Sequence, residues 1–307
     1  MKVIRAKILG FCAGVRRAVL AAEKALDEKT GQVYTLGPLI HNPVALERLA
    51  QRNLKILSEG DIPLLKENDT VIIRAHGVPP ETELELRQKN INVVNATCPI
   101  VTKSQKTAAE FAEKGYVIFF AGDKNHGEVI GIEGYARQGA LKCGKELHFI
   151  LVKDVDELKS AINYLSAEKI LYENQKIVLL SQTTFSIKTF ELLRSQLKAS
   201  FPAAEVVSSI CPATHERQDS LVELCSQVDG IIVIGGKNSA NTNRLFLTAQ
   251  RLCAKAALIE TPGEIPQEFF GLEKVGITAG ASTPDDTIDS VEECLKEGKC
   301  LCAEGGC

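Results

Sequence analysis

Cys12, Cys98 and Cys211 each close a short apolar run and open an amphipathic stretch, in Gly10-Phe11-Cys12-Ala13-Gly14, Ala96-Thr97-Cys98-Pro99-Ile100 and Ser209-Ile210-Cys211-Pro212-Ala213. Three thiols in one register can converge on a single metal site. A structural zinc or iron–sulfur site normally closes with four ligands, whereas a catalytic metal keeps one position open. Three soft thiolates with an open position therefore favour an iron–sulfur cluster with one iron unligated by protein, ahead of zinc. The plain alternative is three packing thiols, since free cysteine is among the most buried residue types. Of the other seven cysteines, Cys143, Cys225 and Cys253 read as packing or surface thiols. Cys294, Cys300, Cys302 and Cys307 crowd the tail at spacings that match neither common zinc nor ferredoxin patterns.

A second group of side chains suits an anion. His41, His76 and His126 stand in polar loops at predicted strand ends and can donate to phosphate oxygens. Ser239, Asn241 and Ser282 add hydroxyl and amide donors with helix N-termini behind them. This is the profile of a phosphate or diphosphate site built without arginine clamps. Glu128, two residues after His126, is placed to act as a proton donor beside a metal and an anion, its alternative being a surface salt bridge. Thr183, in the matching loop of the same segment, can relay a proton or orient Glu128. His215 begins the stretch after Cys211 and reads as a cap or local hydrogen-bond partner.

The elements that must position these residues recur three times. Short strands at 3–9, 91–94 and 205–210 precede the cysteines, and helical patterns at 15–26, 101–112 and 216–228 follow them. Second strands lead to His41, His126 and Ser239, which lie 29, 28 and 28 positions after their cysteines. Third strands at 54–57, 149–152 and 257–259 precede fourth strands at 71–77, 177–184 and 275–282. Strands alternating with helices imply an α/β fold of parallel sheets, with ligand loops beyond the C-terminal strand ends. The expected organisation is three similar small parallel-sheet modules, 1–97, 98–204 and 205–283, arranged with pseudo-threefold symmetry around a central cluster cavity. A helical C-terminal extension fills 284–307. A single doubly wound sheet is the alternative topology.

Composition narrows the function classes. The 307 residues are 45% hydrophobic and 24% charged, with a formal charge of -3, as expected of a globular protein of two or three modules. There is no basic stripe with interleaved aromatics for nucleic acid and no apolar run of membrane-spanning length. The N-terminal residues lack the apolar core and small-residue cleavage site of a leader, so a cytoplasmic protein is expected. In a reducing compartment ten cysteines argue for metal ligation or inert thiols over a disulfide framework.

The segments Phe11-Cys12-Ala13-Gly14-Val15-Arg16-Arg17-Ala18, Ala96-Thr97-Cys98-Pro99, Lys124-Asn125-His126-Gly127-Glu128, Ser181-Gln182-Thr183-Thr184, Lys237-Asn238-Ser239 with Asn241, and Thr278-Ala279-Gly280-Ala281-Ser282 closely resemble the 4-hydroxy-3-methylbut-2-enyl diphosphate reductase family. The resemblance runs in order from residue 1 to about 290. It implies reductive removal of the allylic hydroxyl of (E)-4-hydroxy-3-methylbut-2-enyl diphosphate, giving isopentenyl and dimethylallyl diphosphate, the last step of the non-mevalonate isoprenoid pathway. It also implies a 4Fe–4S cluster on Cys12, Cys98 and Cys211, with Glu128 as proton donor and Thr183 nearby. His41, His76, His126, Thr183, Ser239, Ala240, Asn241 and Ser282 would hold substrate, and electrons would come from reduced ferredoxin or flavodoxin to a monomer. Many members carry a second serine where this chain has Ala240, which leaves only a backbone N–H there. A non-enzymatic iron–sulfur redox sensor would explain the thiols but not the anion-binding loops or Glu128. A zinc-dependent hydrolase would want histidine or carboxylate ligands in place of three thiolates.

Overall fold

The computed structural model describes residues 1–171 and 175–298. The chain divides into two compact units, Met1–Leu57 with Pro212–Cys307, and Ser58–Cys211. The first holds β1 (Lys2–Arg5), α1 (Ala13–Asp27), β2 (Val33–Leu36), α2 (Pro43–Gln51) and β3 (Leu54–Leu57). The second holds β4 (Thr70–Ile73), α3 (Pro80–Arg87), β5 (Asn92–Asn95), α4 (Pro99–Glu113), β6 (Val117–Ala121), α5 (Gly127–Lys142), β7 (His148–Val152), α6 (Val155–Ala167), β8 (Ile177–Ser181), α7 (Ile187–Ser200) and β9 (Glu205–Val206). The chain then returns to the first unit with α8 (Pro212–Cys225), β10 (Gly230–Ile234), α9 (Ala240–Leu252), β11 (Ala256–Ile259), β12 (Lys274–Ala279) and α10 (Asp285–Glu297).

Among the described residues the strands make three four-stranded parallel sheets, an α/β fold. In the second unit one sheet has the order β7-β6-β8-β9, and in the first unit another has the equivalent order β11-β10-β12-β1. The four strands from β2 to β5 follow the same rule where they pair within one unit, β2 with β3 and β4 with β5. Parallel neighbours require crossover helices, and helices on both faces bury the middle strands completely. Sequence follows that demand: β6 (VIFFA), β8 (IVLLS) and β10 (GIIVI) are continuous apolar runs, buried at every position. The outer strands β1, β5 and β9 are short and partly exposed.

The strand ahead of each cysteine belongs to the sheet of the preceding repeat. β9 pairs with β8, β5 with β4, and β1 with β12, so the first strand of the chain completes the last sheet. β1 and β9 are also shorter than the apolar runs predict, whereas β5 keeps the expected length. β1 ends at Arg5 because the chain turns at Gly10, whose φ is +77°, leaving Ile8 to bond the Ser220 hydroxyl at 3.1 Å. β9 stops after two residues, yet its chain keeps following β8: Val207 N–H bonds Leu179 O, and Ser209 N–H bonds the Ser181 hydroxyl at 3.1 Å, where a ladder carbonyl would otherwise serve.

The predicted C-terminal extension is a packed helix as far as it is described. Ile288, Val291, Cys294 and Leu295 on α10 are buried with β10 and β12, and Arg5 on β1 reaches Asp289 and Glu292. Cys300, Cys302 and Cys307 lie outside the described residues.

Helices α4 and α5 pack through small residues, among them Ala108, Ala112, Ala136 and Ala140. A Cβ at Gly139 would lie 2.5 Å from Ala109 O and 3.0 Å from Ala109 Cα, backbone atoms that no rotamer change can move aside. Gly139→Ala is therefore expected to lower the unfolding free energy by about 1–3 kcal/mol through overpacking, despite the better helix propensity of alanine. Urea unfolding followed by circular dichroism checks this; an unchanged or raised midpoint would contradict so close an approach of the two helices.

Candidate active site

Each predicted ligand cysteine is held by the same backbone interaction. The amide of Cys12 donates to Ala281 O at 3.0 Å, that of Cys98 to Ala75 O at 2.9 Å, and that of Cys211 to Thr183 O at 2.8 Å. Each acceptor lies just beyond the C-terminal end of the neighbouring strand, β12, β4 or β8. A helix follows at once: Cys12 is the N-cap of α1, Cys98 the N-cap of α4, and Cys211 directly precedes α8. The Cys12 sulfur also accepts from Val15 N–H at 3.4 Å. All three are neither fully buried nor fully exposed.

That bond also fixes the register between repeats. Thr183 stands where the other two repeats have Ala75 and Ala281, so it is one position ahead of His76 and Ser282, whose equivalent is Thr184.

In the second unit the structure brings Glu128, Thr183 and Cys211 together. Glu128 lies in the first turn of α5, is 1% exposed, and has both oxygens engaged: Thr183 N–H donates to Oε1 at 2.7 Å and the Thr183 hydroxyl to Oε2 at 2.8 Å. Through its carbonyl Thr183 also holds Cys211. This excludes the surface salt bridge as the role of Glu128. His126 caps α5, its Nδ1 accepting from Glu128 N–H at 3.2 Å, which leaves the proton of a neutral ring on Nε2. His76 packs edge-on against His126, with ring centroids 5.3 Å apart. Gln182, wholly buried, braces the loops behind them by accepting from Asp123 N–H at 2.9 Å and donating to Thr184 Oγ1 at 2.9 Å.

In the first unit, Ser239 caps α9 and accepts from Thr242 N–H at 3.3 Å, followed by Ala240 and the buried Asn241. Asn241 Nδ2 is buried and meets no acceptor among the described residues, as expected of a donor reserved for a ligand. The Ser282 hydroxyl donates to His41 O at 3.0 Å, and a Cβ on Gly236 would lie 2.5 Å from that same oxygen. His41 is thus held by its backbone between the loops that follow β10 and β12.

Two further residues escaped the sequence reading. Asn42, not His41, is the α2 cap equivalent to His126 and Ser239: its side chain accepts from Ala45 N–H at 2.9 Å. The signal was present in Asn42-Pro43, a preferred cap followed by proline at the first helical position. Arg74 is an arginine beside the His126 loop that the sequence reading did not weigh. Its guanidinium lies at the start of α5, 2.7 Å from where a Gly127 Cβ would be, and burial pushes its pKa down, against an opposing pull from Glu59.

The remaining described cysteines sit at the other ends of helices. Cys143 and Cys253 are the C-caps of α5 and α9, Cys225 ends α8, and Cys294 is in the last turn of α10. Burial pushes the Cys225 thiol up to about 12 and raises that of Cys253 as well. His215 pairs locally with Asp219 at 3.1 Å. No helix among the described residues is long and apolar enough to cross a membrane.

Comparison with known proteins places this geometry in a family. A 4-hydroxy-3-methylbut-2-enyl diphosphate reductase of Treponema denticola is 43% identical over 97% of this chain and 100% of its own length. Its counterpart in Aquifex aeolicus is 40% identical over 96% of each. Among solved structures, an (E)-4-hydroxy-3-methyl-but-2-enyl diphosphate reductase, described as the terminal enzyme of the non-mevalonate pathway, is 39% identical with a TM-score of 0.69, covering 97% of this chain and 100% of that one. The E-1-hydroxy-2-methyl-but-2-enyl-4-diphosphate reductase of Plasmodium falciparum has a TM-score of 0.84 at 27% identity, over 96% and 88% of the two chains. The model of the LytB protein family matches residues 3–296, and the chain belongs to that family.

Proposed function

We propose that the protein is the reductase that removes the allylic hydroxyl of (E)-4-hydroxy-3-methylbut-2-enyl diphosphate, forming isopentenyl and dimethylallyl diphosphate. The reaction consumes two electrons and two protons and releases the oxygen as water. The observation that carries this reading is the buried Glu128 carboxyl, held at both oxygens by a residue whose carbonyl holds the Cys211 loop.

Three half-buried cysteines beside helix N-termini fit an anionic iron–sulfur group, because those termini favour negative charge. Cys12, Cys98 and Cys211, one from each of the modules 1–97, 98–204 and 205–283, would hold a 4Fe–4S cluster. When bound, such a group supplies the electrons and a Lewis-acidic iron for the allylic oxygen. Reduced ferredoxin or flavodoxin would deliver electrons singly to a cytoplasmic monomer.

The chain's own residues handle the diphosphate and the protons. His41, His76 and His126 would donate to phosphate oxygens, the last from Nε2. Ser239, Asn241, Ser282 and the Ala240 N–H would complete the cradle, with the orphaned Asn241 amide the plainest support. Thr183 N–H occupies Glu128 Oε1, so a proton carried by Glu128 belongs on Oε2. The Thr183 hydroxyl, 2.8 Å from Oε2, can donate to the carboxylate or accept from the acid, and so orients Glu128 in both states. Donation from Oε2 would then carry the departing oxygen to water.

Anaerobic purification followed by iron and sulfide analysis, then incubation of substrate with a strong one-electron donor, tests the whole reading. Iron with sulfide and formation of both products are expected. Zinc without sulfide would end the cluster assignment, and an intact cluster that leaves substrate unchanged would favour a sensor. Glu128→Gln should keep iron and sulfide while lowering kcat by about 10²–10⁴-fold, the usual worth of a general acid. Thr183→Val should fall between it and wild type; near-normal turnover of Glu128→Gln would remove the proton-donor role. Gly236→Ala, which presses a methyl on His41 O, should raise KM about ten-fold or more with cluster content unchanged.

A further inference from the structure

Arg217 heads the fully buried side chains in size, at 2% exposed, and nothing in the proposed chemistry uses it. It projects from α8, six residues after Cys211. Its Nη2 donates to Gly10 O at 2.6 Å, and its Nη1 donates to Ala213 O at 3.2 Å. Gly10 lies two residues before Cys12 and Ala213 two residues after Cys211. One guanidinium thus binds main-chain carbonyls on the flanks of two of the three thiol loops.

The setting makes this a local clamp. Gly10 turns with φ +77°, and a Cβ there would meet Asp285 Oδ1 at 2.9 Å and Ile288 Cδ1 at 3.1 Å, so the bend is tightly enclosed. One turn further along α8, Ser220 accepts from Ile8 N–H at 3.1 Å. The same helix face therefore grips the segment ahead of Cys12 at two points, while Cys12 N–H is held from the other side by Ala281 O. Burying a guanidinium forfeits its hydration, which hydrogen bonds to carbonyls offset in part. A planar fork spans two carbonyls in a fixed geometry, whereas an ammonium on a flexible stem is less pre-organised for both.

We propose that Arg217 is a positioning residue that fixes the Cys12 loop to the start of α8, so that the thiol is presented in place before any metal group binds. The role toward the metal rests on the iron–sulfur reading above, whereas the clamp consists of the chain's own hydrogen bonds. Hydrogen exchange on metal-free protein tests it directly. In Arg217→Met, amides of residues 9–14 should exchange about ten-fold faster than in wild type, with β10 unchanged, and Arg217→Lys should recover part of the protection. After anaerobic reconstitution, Arg217→Met should also lose iron to a chelator faster than wild type. Unchanged exchange at 9–14 would overturn the clamp, as would acceleration spread equally over β10 in both variants. If wild type takes up no iron and sulfide, the cluster reading fails on its own while the exchange result still decides the clamp.

Discussion

One backbone hydrogen bond, made three times, organises the rest: the amide of each predicted ligand cysteine donates to a carbonyl just past the end of the neighbouring strand. Its length varies only from 2.8 to 3.0 Å across the three copies. It settles two things at once. It fixes the point at which the chain leaves the sheet and enters a helix, so the thiol stands at that helix's N-terminus. It also sets the residue on the facing strand end that lies beside the cysteine. A flexible cysteine loop would have to be ordered when a metal group bound; here much of that ordering is done by the fold.

The second consequence separates the repeats chemically. Ala75 and Ala281 can offer only their backbone to the cysteine and its surroundings, whereas Thr183 brings a hydroxyl and an N–H as well. Both go to Glu128, and the carbonyl goes to Cys211. Any shift of Thr183 would therefore move the Glu128 carboxyl and the Cys211 loop together. The other two repeats carry His76 and Ser282 one residue later, and these suit an anion. A repeated scaffold thus carries unlike side chains at equivalent strand ends, Thr183 facing a carboxyl in one repeat and alanine in the other two.

Much of this was legible in the sequence because buried parallel strands and amphipathic helices write themselves in local pattern. The continuous apolar runs of β6, β8 and β10, and the equal spacing from cysteine to polar loop, are properties of short windows. Strand partnership is not. Nothing in Lys2-Val3-Ile4-Arg5 says that its neighbour is Lys274–Ala279, some 270 residues away, and not a strand of its own repeat. The same limit hid Arg74 and Arg217. Arg74 at the end of an apolar run and Arg217 within a polar stretch both look like solvated surface charges until the fold shows what covers them. Asn42 was missed for a different reason: His41 drew attention by chemical type, while the cap signature lay one residue on.

The ten cysteines raised a sorting problem that composition alone could not solve, and helix polarity divides the seven described ones into two groups. Every described cysteine outside the predicted ligand set stands at a helix C-terminal end, where unsatisfied carbonyls leave partial negative charge. The three in the set stand at helix N-terminal ends, where free N–H groups leave partial positive charge. A thiol at a C-terminal end gains nothing by ionising, and burial pushes Cys225 to about 12, far from the range in which it would serve a metal. A helix N-terminus, in contrast, favours a thiolate or any other anionic group beside it. The electrostatics of the peptide unit thus separates identical side chains into packing thiols and candidate ligands, and the amide-to-carbonyl bond ensures that the candidates enter their helices at the favourable end.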